Sequence, residues 1–232
     1  NKTKLLGFIG DVLDDRGIRP GTAVDPFCGT ASVAAELKRR GFRVVASDIM
    51  EYAYVFARAY VEVPVIPVAP ELKDLIGSDD DSLPAVLAFL DRLDGEAGFM
   101  HEHYSPEGED GARHGRMYFT PENAARIDAV RSTLHRWHSE RRIDDDTFHV
   151  LLASLIEAAD RVANTTGVYA AFVKTWQANA LRSLELRMPP VVHGNGCRAY
   201  RQDALSVAAD AGDFDLLYLD PPYNSRQYAG YY

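Results

Sequence analysis

Cysteine is almost absent from this chain of 232 residues: Cys28 and Cys197 are the only two, far apart and in no metal-ligand spacing. A disulfide framework and a thiolate zinc site both lack material, and free thiols in a reducing compartment are the expectation. The sequence also lacks any apolar run near the ~20 residues that cross a bilayer. No segment has the charged, apolar and small-residue order of a signal peptide. A cytoplasmic protein without a membrane partner is expected. Internal repeats and low-complexity tracts are missing too. Missing last is a surplus of cations. The formal net charge of −9 argues against a general nucleic-acid binder, since phosphate affinity comes largely from lysine and arginine.

What is present is an ordinary globular mixture, 47% apolar and 25% charged. At this length the chain can bury a full core, and it fits one α/β domain with a large insertion or a second small domain. Its charge is unevenly placed. Residues 62–110 hold 13 acids and 2 bases, whereas residues 111–142 hold 7 arginines against 3 acids. A basic segment inside an acidic protein is a candidate phosphate contact, and a solvated helix face is an equally good account of any single arginine in it.

Leu5, Leu6, Phe8, Ile9, Val12 and Leu13 recur at helical spacing until Gly17, a C-cap signal. The chain opens without methionine, so a few native residues are expected ahead of Asn1. Gly21 to Asp25 reads as a strand, Val33 to Arg40 as a helix closed by Gly41, Phe42 to Ser47 as a second strand and Met50 to Tyr60 as a helix. Strand, glycine-containing turn and helix open a nucleotide-binding βαβ unit. Pro64, Pro67 and Pro70 then mark an exit from this alternation, and Met188-Pro189-Pro190 marks the return. Between them, helices are expected over Ala85 to Leu93, Thr120 to Ser139, Asp144 to Ala163 and Ala170 to Leu186. The glycine- and acid-rich stretch Gly95 to Arg116 is expected as a loop. Thr120 reads as an N-cap with Pro121 at the first helical position.

After a turn at His193 to Gly196, Cys197 to Tyr200 reads as a third core strand and Ala204 to Ala209 as a short helix. Phe214 to Leu219 has the apolar density of a strand buried on both faces, which Pro221-Pro222 must end. Asp25, Asp48, Asp203 and Asp220 thus each stand at the carboxyl end of an expected strand, where open α/β sheets bind ligands. A helix N-cap is the plainer account of any one of them. Asp48 lies 23 positions after Asp25, the spacing of an acid that accepts ribose hydroxyls. The turn between them carries only Gly29 in place of G-x-G-x-x-G, which disfavours a dinucleotide and favours a ligand with a cationic or hydroxylic end. At the far end, Asp220 and the Pro221 carbonyl offer two acceptors to an amino group, and the Tyr223 ring can stack on a flat heterocycle. His101, His103 and His114 have no supporting metal spacing, so no metal is expected.

Asp25-Pro26-Phe27-Cys28-Gly29-Thr30 and Asp220-Pro221-Pro222-Tyr223 resemble the cofactor and catalytic motifs of S-adenosylmethionine-dependent amino methyltransferases. Asn1-Lys2-Thr3-Lys4-Leu5-Leu6 resembles the start of DNA adenine methylases of the Dam or D12 class. Tyr118 to Asp128 and Asn164 to Tyr169 are similar to stretches of the same family, so the likeness runs through nearly the whole chain. Thr30-Ala31 stands where that family often has a small residue and a second glycine.

The resemblance implies a Rossmann-like methyltransferase sheet with helices on both faces, formed by residues 1–62 and 190–232, and a largely helical inserted target-recognition domain, residues 63–189. It implies that Lys2, Asp25, Pro26, Phe27, Cys28, Gly29, Thr30, Asp48, Ile49, Asp203 and Ala204 hold S-adenosylmethionine. Asp220, Pro221, Pro222 and Tyr223 would hold an adenine flipped out of duplex DNA, for methylation of its N6 amine. Arg113, Arg116, Arg126, Arg131, Arg136 and Arg226 are candidate DNA contacts. A restriction endonuclease or other defence-system subunit is the companion such an enzyme suggests. The chain stops before the remaining strands of such a sheet, so a fragment or a completing partner chain is expected. Methylation of a cytosine N4 amine, of an RNA base, and a DNA-binding subunit without activity remain alternatives.

Overall fold

The computed structural model describes residues 5–167, 169, 171–194 and 196–221. They divide into two compact units, one holding residues up to Ile66 and from Pro189 onward, the other Pro67–Met188.

The first unit begins with helix α1 (Leu6–Asp15), which ends at Gly17 with φ +64°, a left-handed position that glycine occupies without strain. Strand β1 (Thr22–Asp25) is buried at all four residues. Helix α2 (Ser32–Arg39) follows, packs on β1 and on β2 (Arg43–Ser47), and buries Val33, Ala34 and Leu37. Helix α3 (Glu51–Ala57) continues into a wide helical turn over Arg58–Glu62. After the excursion of the second unit come β3 (Arg198–Tyr200), α10 (Ala204–Asp210) and β4 (Leu216–Leu217).

The four strands form a parallel sheet in the order β3-β2-β1-β4. Its β3 edge is covered from within the unit, since Glu62 Oε2 accepts the Ala199 N–H at 3.0 Å. Behind α2, the buried Lys38 donates from Nζ to the Val63 carbonyl at 2.7 Å. Burial lowers its pKa, and the neighbouring Cys197 opposes that shift.

Strand β4 differs from expectation. Only two residues are regular strand, and Phe214, Leu217 and Leu219 are 39%, 38% and 59% exposed. Among the described residues β4 has β1 beside it and no strand on its other side.

The second unit is mainly helical: α4 (Lys73–Ile76), α5 (Leu83–Leu90), α6 (Phe99–Tyr104), α7 (Glu109–Arg113), α8 (Pro121–Ser139) and α9 (Asp145–Val162). The two long helices carry the caps written in the sequence. Thr120 Oγ1 accepts the Asn123 N–H and Asp144 Oδ1 accepts the Thr147 N–H. Ile127, Val130, Leu134 and Trp137 of α8 and Phe148, Leu151 and Leu155 of α9 form buried stripes at helical spacing.

Two expectations fail in this unit. The stretch Gly95 to Arg116 is not a loop, because it contains α6 and α7. The reason lies in α8, where the buried Asp128 carboxylate accepts the N–H groups of Gly98, Met100 and His101 at 3.2, 3.0 and 2.8 Å. Those donors would otherwise be left orphaned at the start of α6. The expected helix over Ala170 to Leu186 is not formed by the described residues there. Asn123 takes the Ala180 and Arg182 carbonyls with its Nδ2 and the Leu184 N–H with its Oδ1. Asn164 Nδ2 likewise donates to the Met117 and Val173 carbonyls. Backbone groups held by buried asparagines are not available for an i to i+4 ladder.

Gly111 lets α7 approach α6: a β-carbon there would lie 1.8 Å from the Ser105 carbonyl oxygen, which as backbone cannot step aside. Gly111→Ala is expected to destabilise the protein by about 1–3 kcal/mol through overpacking, measured by urea unfolding followed by circular dichroism.

Candidate functional site

Because the sheet is parallel, all four strands end on one edge. Asp25 is the last residue of β1, Asp48 follows β2 directly, Asp203 stands three residues after β3 and Asp220 three after β4. In space the acids therefore follow strand order, Asp203, Asp48, Asp25, Asp220, a row roughly 14 Å long at the usual strand spacing. The β1–β4 ladder extends on either side of its regular pairs through Asp215 N–H to Thr22 O at 2.8 Å and Tyr218 N–H to Val24 O at 2.9 Å. Asp220 thus emerges beside the end of β1.

The turn after β1 is wired to its neighbours by consecutive backbone donors. Phe27 N–H donates to Asp25 Oδ1 at 3.3 Å, Cys28 N–H to Ser47 O at 3.0 Å and Gly29 N–H to Asp48 Oδ2 at 3.0 Å. A phosphate cradle needs such donors free. Here the protein's own acceptors use all three, and carboxylates take two of them, so these amides are not free for an anionic group. Gly29 has φ +52°, and a β-carbon built on it meets no atom within 4 Å, so a ligand can approach the backbone there. Ala31 also sits in the left-handed region, at φ 55°. The second glycine that the related motif often has at this position would relieve that conformation. Cys28 is buried and Thr30 is exposed, its hydroxyl 3.0 Å from that of Ser32.

Asp48 is half-buried and also accepts the Met50 N–H at 3.0 Å, while Ile49 between them is 65% exposed. Asp203 is the N-cap of α10, accepting the Leu205 and Ser206 N–H groups at 3.0 and 3.1 Å and the Ser206 hydroxyl at 2.5 Å. These bonds, the Ser206 hydroxyl foremost, hold its carboxyl below the usual aspartate range. Ala204 opens that helix, and Leu205 is 84% exposed. Leu205 was missed in the sequence because a leucine in a helix reads as core. With Ile49 it places an exposed apolar side chain beside each of two neighbouring acids. Ser47, also missed, is fully buried and donates its hydroxyl to the Gln202 carbonyl at 2.8 Å, tying the β3–α10 connection to β2. Asp220 is half-buried and Pro221 exposed. Lys2, Pro222, Tyr223 and Arg226 lie outside the described residues.

The arginines of the second unit separate by their partners. Arg116 is bound to Asp110 at 2.7 Å and to the His103 carbonyl at 2.9 Å. Arg126 is bound to the Leu184 and Asp91 carbonyls at 2.9 and 2.6 Å. Both brace their own unit. Arg113 is exposed and pairs with Glu109 at 3.0 Å, Arg136 is exposed, and Arg131 is exposed with its guanidinium 6.0 Å from the Phe99 ring centroid. His103 and His114 both face Asp110 and His101 faces Glu107. No cluster of metal-ligating side chains occurs among the described residues, nor is any helix there long and apolar enough to cross a membrane.

A family model described as D12 class N6 adenine-specific DNA methyltransferase matches residues 1–232. The chain is 35% identical over 235 residues to the type II methyltransferase M.NlaIII of Neisseria lactamica, covering all of this chain and 63% of that protein. It is 35% identical over 238 residues to the type II methyltransferase M.FokI of Planomicrobium okeanokoites, covering all of this chain and 35% of that protein. Against the type II methyltransferase M.CviAII of Paramecium bursaria Chlorella virus 1 the identity is 32%, over all of this chain and 65% of the relative. The chain thus spans between about a third and two thirds of these relatives' lengths. No solved structure gives a significant match.

Two outcomes test the wiring of the strand ends. Asp48→Ala removes the acceptor of the Gly29 and Met50 N–H groups and is expected to lower the unfolding free energy by about 1–3 kcal/mol, read by urea unfolding. For Asp203 the folded pKa is depressed, so its contribution is complete above the ordinary aspartate range and disappears as pH falls through the folded value. Asp203→Ala is accordingly expected to melt below the parent at neutral pH, with the two melting temperatures converging in acid.

Proposed function

The chain belongs to the D12 class N6 adenine-specific DNA methyltransferase family, and on that premise we propose that it transfers a methyl group from S-adenosylmethionine to the N6 amine of an adenine flipped out of duplex DNA. The first unit is then a Rossmann-like methyltransferase sheet with helices on both faces, and the second reads the target sequence. The observation that carries this is the self-satisfied turn after β1 lying in one row with Asp48, Asp203 and Asp220.

The residues present fit the cofactor. Its ammonium and hydroxyl groups suit an acid-rich edge on which the Phe27, Cys28 and Gly29 N–H groups are already bonded within the protein. Asp48 keeps acceptor capacity for ribose hydroxyls beyond its two backbone bonds, and Asp203 keeps it for an adenine amine. Ile49 and Leu205 supply the exposed apolar surface that a purine ring covers. Asp25, Pro26, Phe27, Cys28, Gly29 and Thr30 shape the turn, with the approach left open at Gly29, and Lys2 is assigned to the methionine end. When bound, S-adenosylmethionine supplies an electrophilic methyl group on its sulfonium.

Adenine's amino nitrogen is a poor nucleophile because its lone pair is delocalised into the ring. Asp220 and the Pro221 carbonyl accept its two hydrogens, favour a pyramidal nitrogen and aim its lone pair. Positioning and hydrogen-bond electrostatics of this kind supply much of the acceleration. The proton released on methylation has Asp220 as its adjacent acceptor. Pro222 stiffens the loop, and stacking on Tyr223 offsets part of the few kcal/mol that extrusion of the base costs. No covalent enzyme intermediate is required. The relatives named as type II methyltransferases support a restriction-modification setting, with an endonuclease as the companion activity.

The test is methyl transfer from labelled S-adenosylmethionine to duplex DNA followed by nucleoside analysis. N6-methyl-2′-deoxyadenosine in the digest is expected, whereas N4-methyl-2′-deoxycytidine, label on RNA alone, or no transfer would each replace the proposal. Asp220→Ala is expected to abolish transfer while cofactor binding, read by calorimetry, survives. Retained turnover in that variant would remove Asp220 from the mechanism.

A further inference from the structure

Among the described residues, strand β4 is short and lightly packed for an element that leads into Asp220. Two of its residues are regular strand, paired with Ala23 and Val24 of β1, and Leu217 and the following Leu219 are exposed. Where it sits along β1 is fixed by Asp215, the residue just ahead of it. The Asp215 N–H donates to the Thr22 carbonyl at 2.8 Å, and Asp215 Oδ2 accepts the Thr22 N–H at 2.7 Å. An ionised acceptor makes this second bond stronger than a neutral ladder bond. Thr22 is itself buried and held from the β2 side, since Arg43 donates to its hydroxyl at 2.8 Å. From this clamp the β1–β4 ladder runs on to Tyr218 N–H on Val24 O at 2.9 Å, two residues before Asp220.

Gly21 is the seat of the clamp. A β-carbon there would lie 2.1 Å from Asp215 Oδ2 and 2.6 Å from its Cγ. Gly21 is not one of the left-handed glycines, so what the position uses is the missing side chain. The neighbours of Asp215 cannot replace it. A slip of one residue would set Phe214 or Leu216 against the Thr22 amide, without an acceptor, and would turn the side chains that follow to the opposite face.

We propose that Asp215 is a positioning residue for methyl transfer: seated against Gly21 and bound to both backbone groups of Thr22, it fixes how far β4 reaches and so where Asp220 and the Pro221 carbonyl meet the target amine. This rests on the reading of Asp220 as an acceptor for that amine. Asp215 stands at the opposite end of β4 from Asp220 and acts only through the strand. Its effect is geometric, and displacement of a catalytic group by about 1 Å can cost on the order of a hundredfold in rate.

The experiment measures steady-state methyl transfer from labelled S-adenosylmethionine to unmethylated plasmid DNA by the full chain and its variants, with cofactor affinity read by calorimetry. Asp215→Ala is expected to lower kcat by roughly ten- to a hundredfold, while KM for DNA and cofactor affinity stay near the parent's. Asp215→Asn keeps an oxygen acceptor for the Thr22 N–H and is expected to restore most of that kcat. Asp213→Ala removes an adjacent exposed carboxylate and should match the parent. Gly21→Ala pushes the Asp215 carboxylate off its seat and should slow transfer as Asp215→Ala does, with the double variant no slower than the slower single. Effects of Gly21→Ala and Asp215→Ala that multiply overturn the clamp. So does an Asp215→Ala kcat equal to the parent's in a protein whose Asp220→Ala variant is inactive, which leaves the methyltransferase reading intact. A loss of cofactor affinity in Asp215→Ala that matches its loss of kcat assigns the residue to the stability of the whole strand edge and sinks the proposal too. No transfer by the parent removes the methyltransferase reading itself, and an active Asp220→Ala variant removes the role that Asp215 serves.

Discussion

The Gly29 N–H bond to the Asp48 carboxylate joins the crossover after β1 to the end of β2, and the chemistry of the strand edge depends on it. With Phe27 N–H held by Asp25 and Cys28 N–H held by Ser47, the first turn has spent its donors internally. A parallel sheet ordinarily presents a positive, donor-rich edge, because helix N-termini and free amides gather there. At this turn three successive amides are already bonded within the protein, two of them to carboxylates, which agrees with the single glycine of the sequence in disfavouring a pyrophosphate there.

The sheet that displays this edge is small and finished unequally at its sides. At β3 the outward Ala199 N–H is taken by Glu62 from the wide turn after α3, and Lys38 pins the neighbouring Val63 carbonyl from below. These two buried or half-buried side chains secure the segment from which the chain departs toward its second unit. At β4 the described residues leave apolar side chains partly exposed. The strand nearest the proposed chemistry is therefore held mainly by β1, through the two-way exchange between Thr22 and Asp215 in which the aspartate side chain also accepts the Thr22 N–H at 2.7 Å.

In the second unit, buried polar residues take over work that local propensity does elsewhere. Asp128, Asn123 and Asn164 each satisfy several backbone groups far away in sequence. An unsatisfied buried amide or carboxylate costs more than a satisfied one contributes, so these residues act chiefly by forbidding alternatives. The same logic sorts the arginines: Arg116 and Arg126, each between an acid and backbone carbonyls, become braces, whereas Arg113, Arg131 and Arg136 stay at the surface.

The sequence by itself determined what is decided within a few residues. Helix starts at Thr120 and Asp144, the stop at Gly17, the four acids after apolar runs and the family motifs were all legible, because caps, left-handed turns and apolar periodicity are local. Only the tertiary structure decided the rest. It set the acids in the order Asp203, Asp48, Asp25, Asp220, folded Gly95 to Arg116 into helices on Asp128, and kept the described part of 171–186 from becoming one. It also left the last strand half-exposed and divided Arg116 and Arg126 from Arg131. The row of acids, the helices held on Asp128, the segment held by Asn123 and the Arg126 brace each turn on partners tens of residues away. No local window contains both members of such a pair, so the bond between them exists only once the chain has folded.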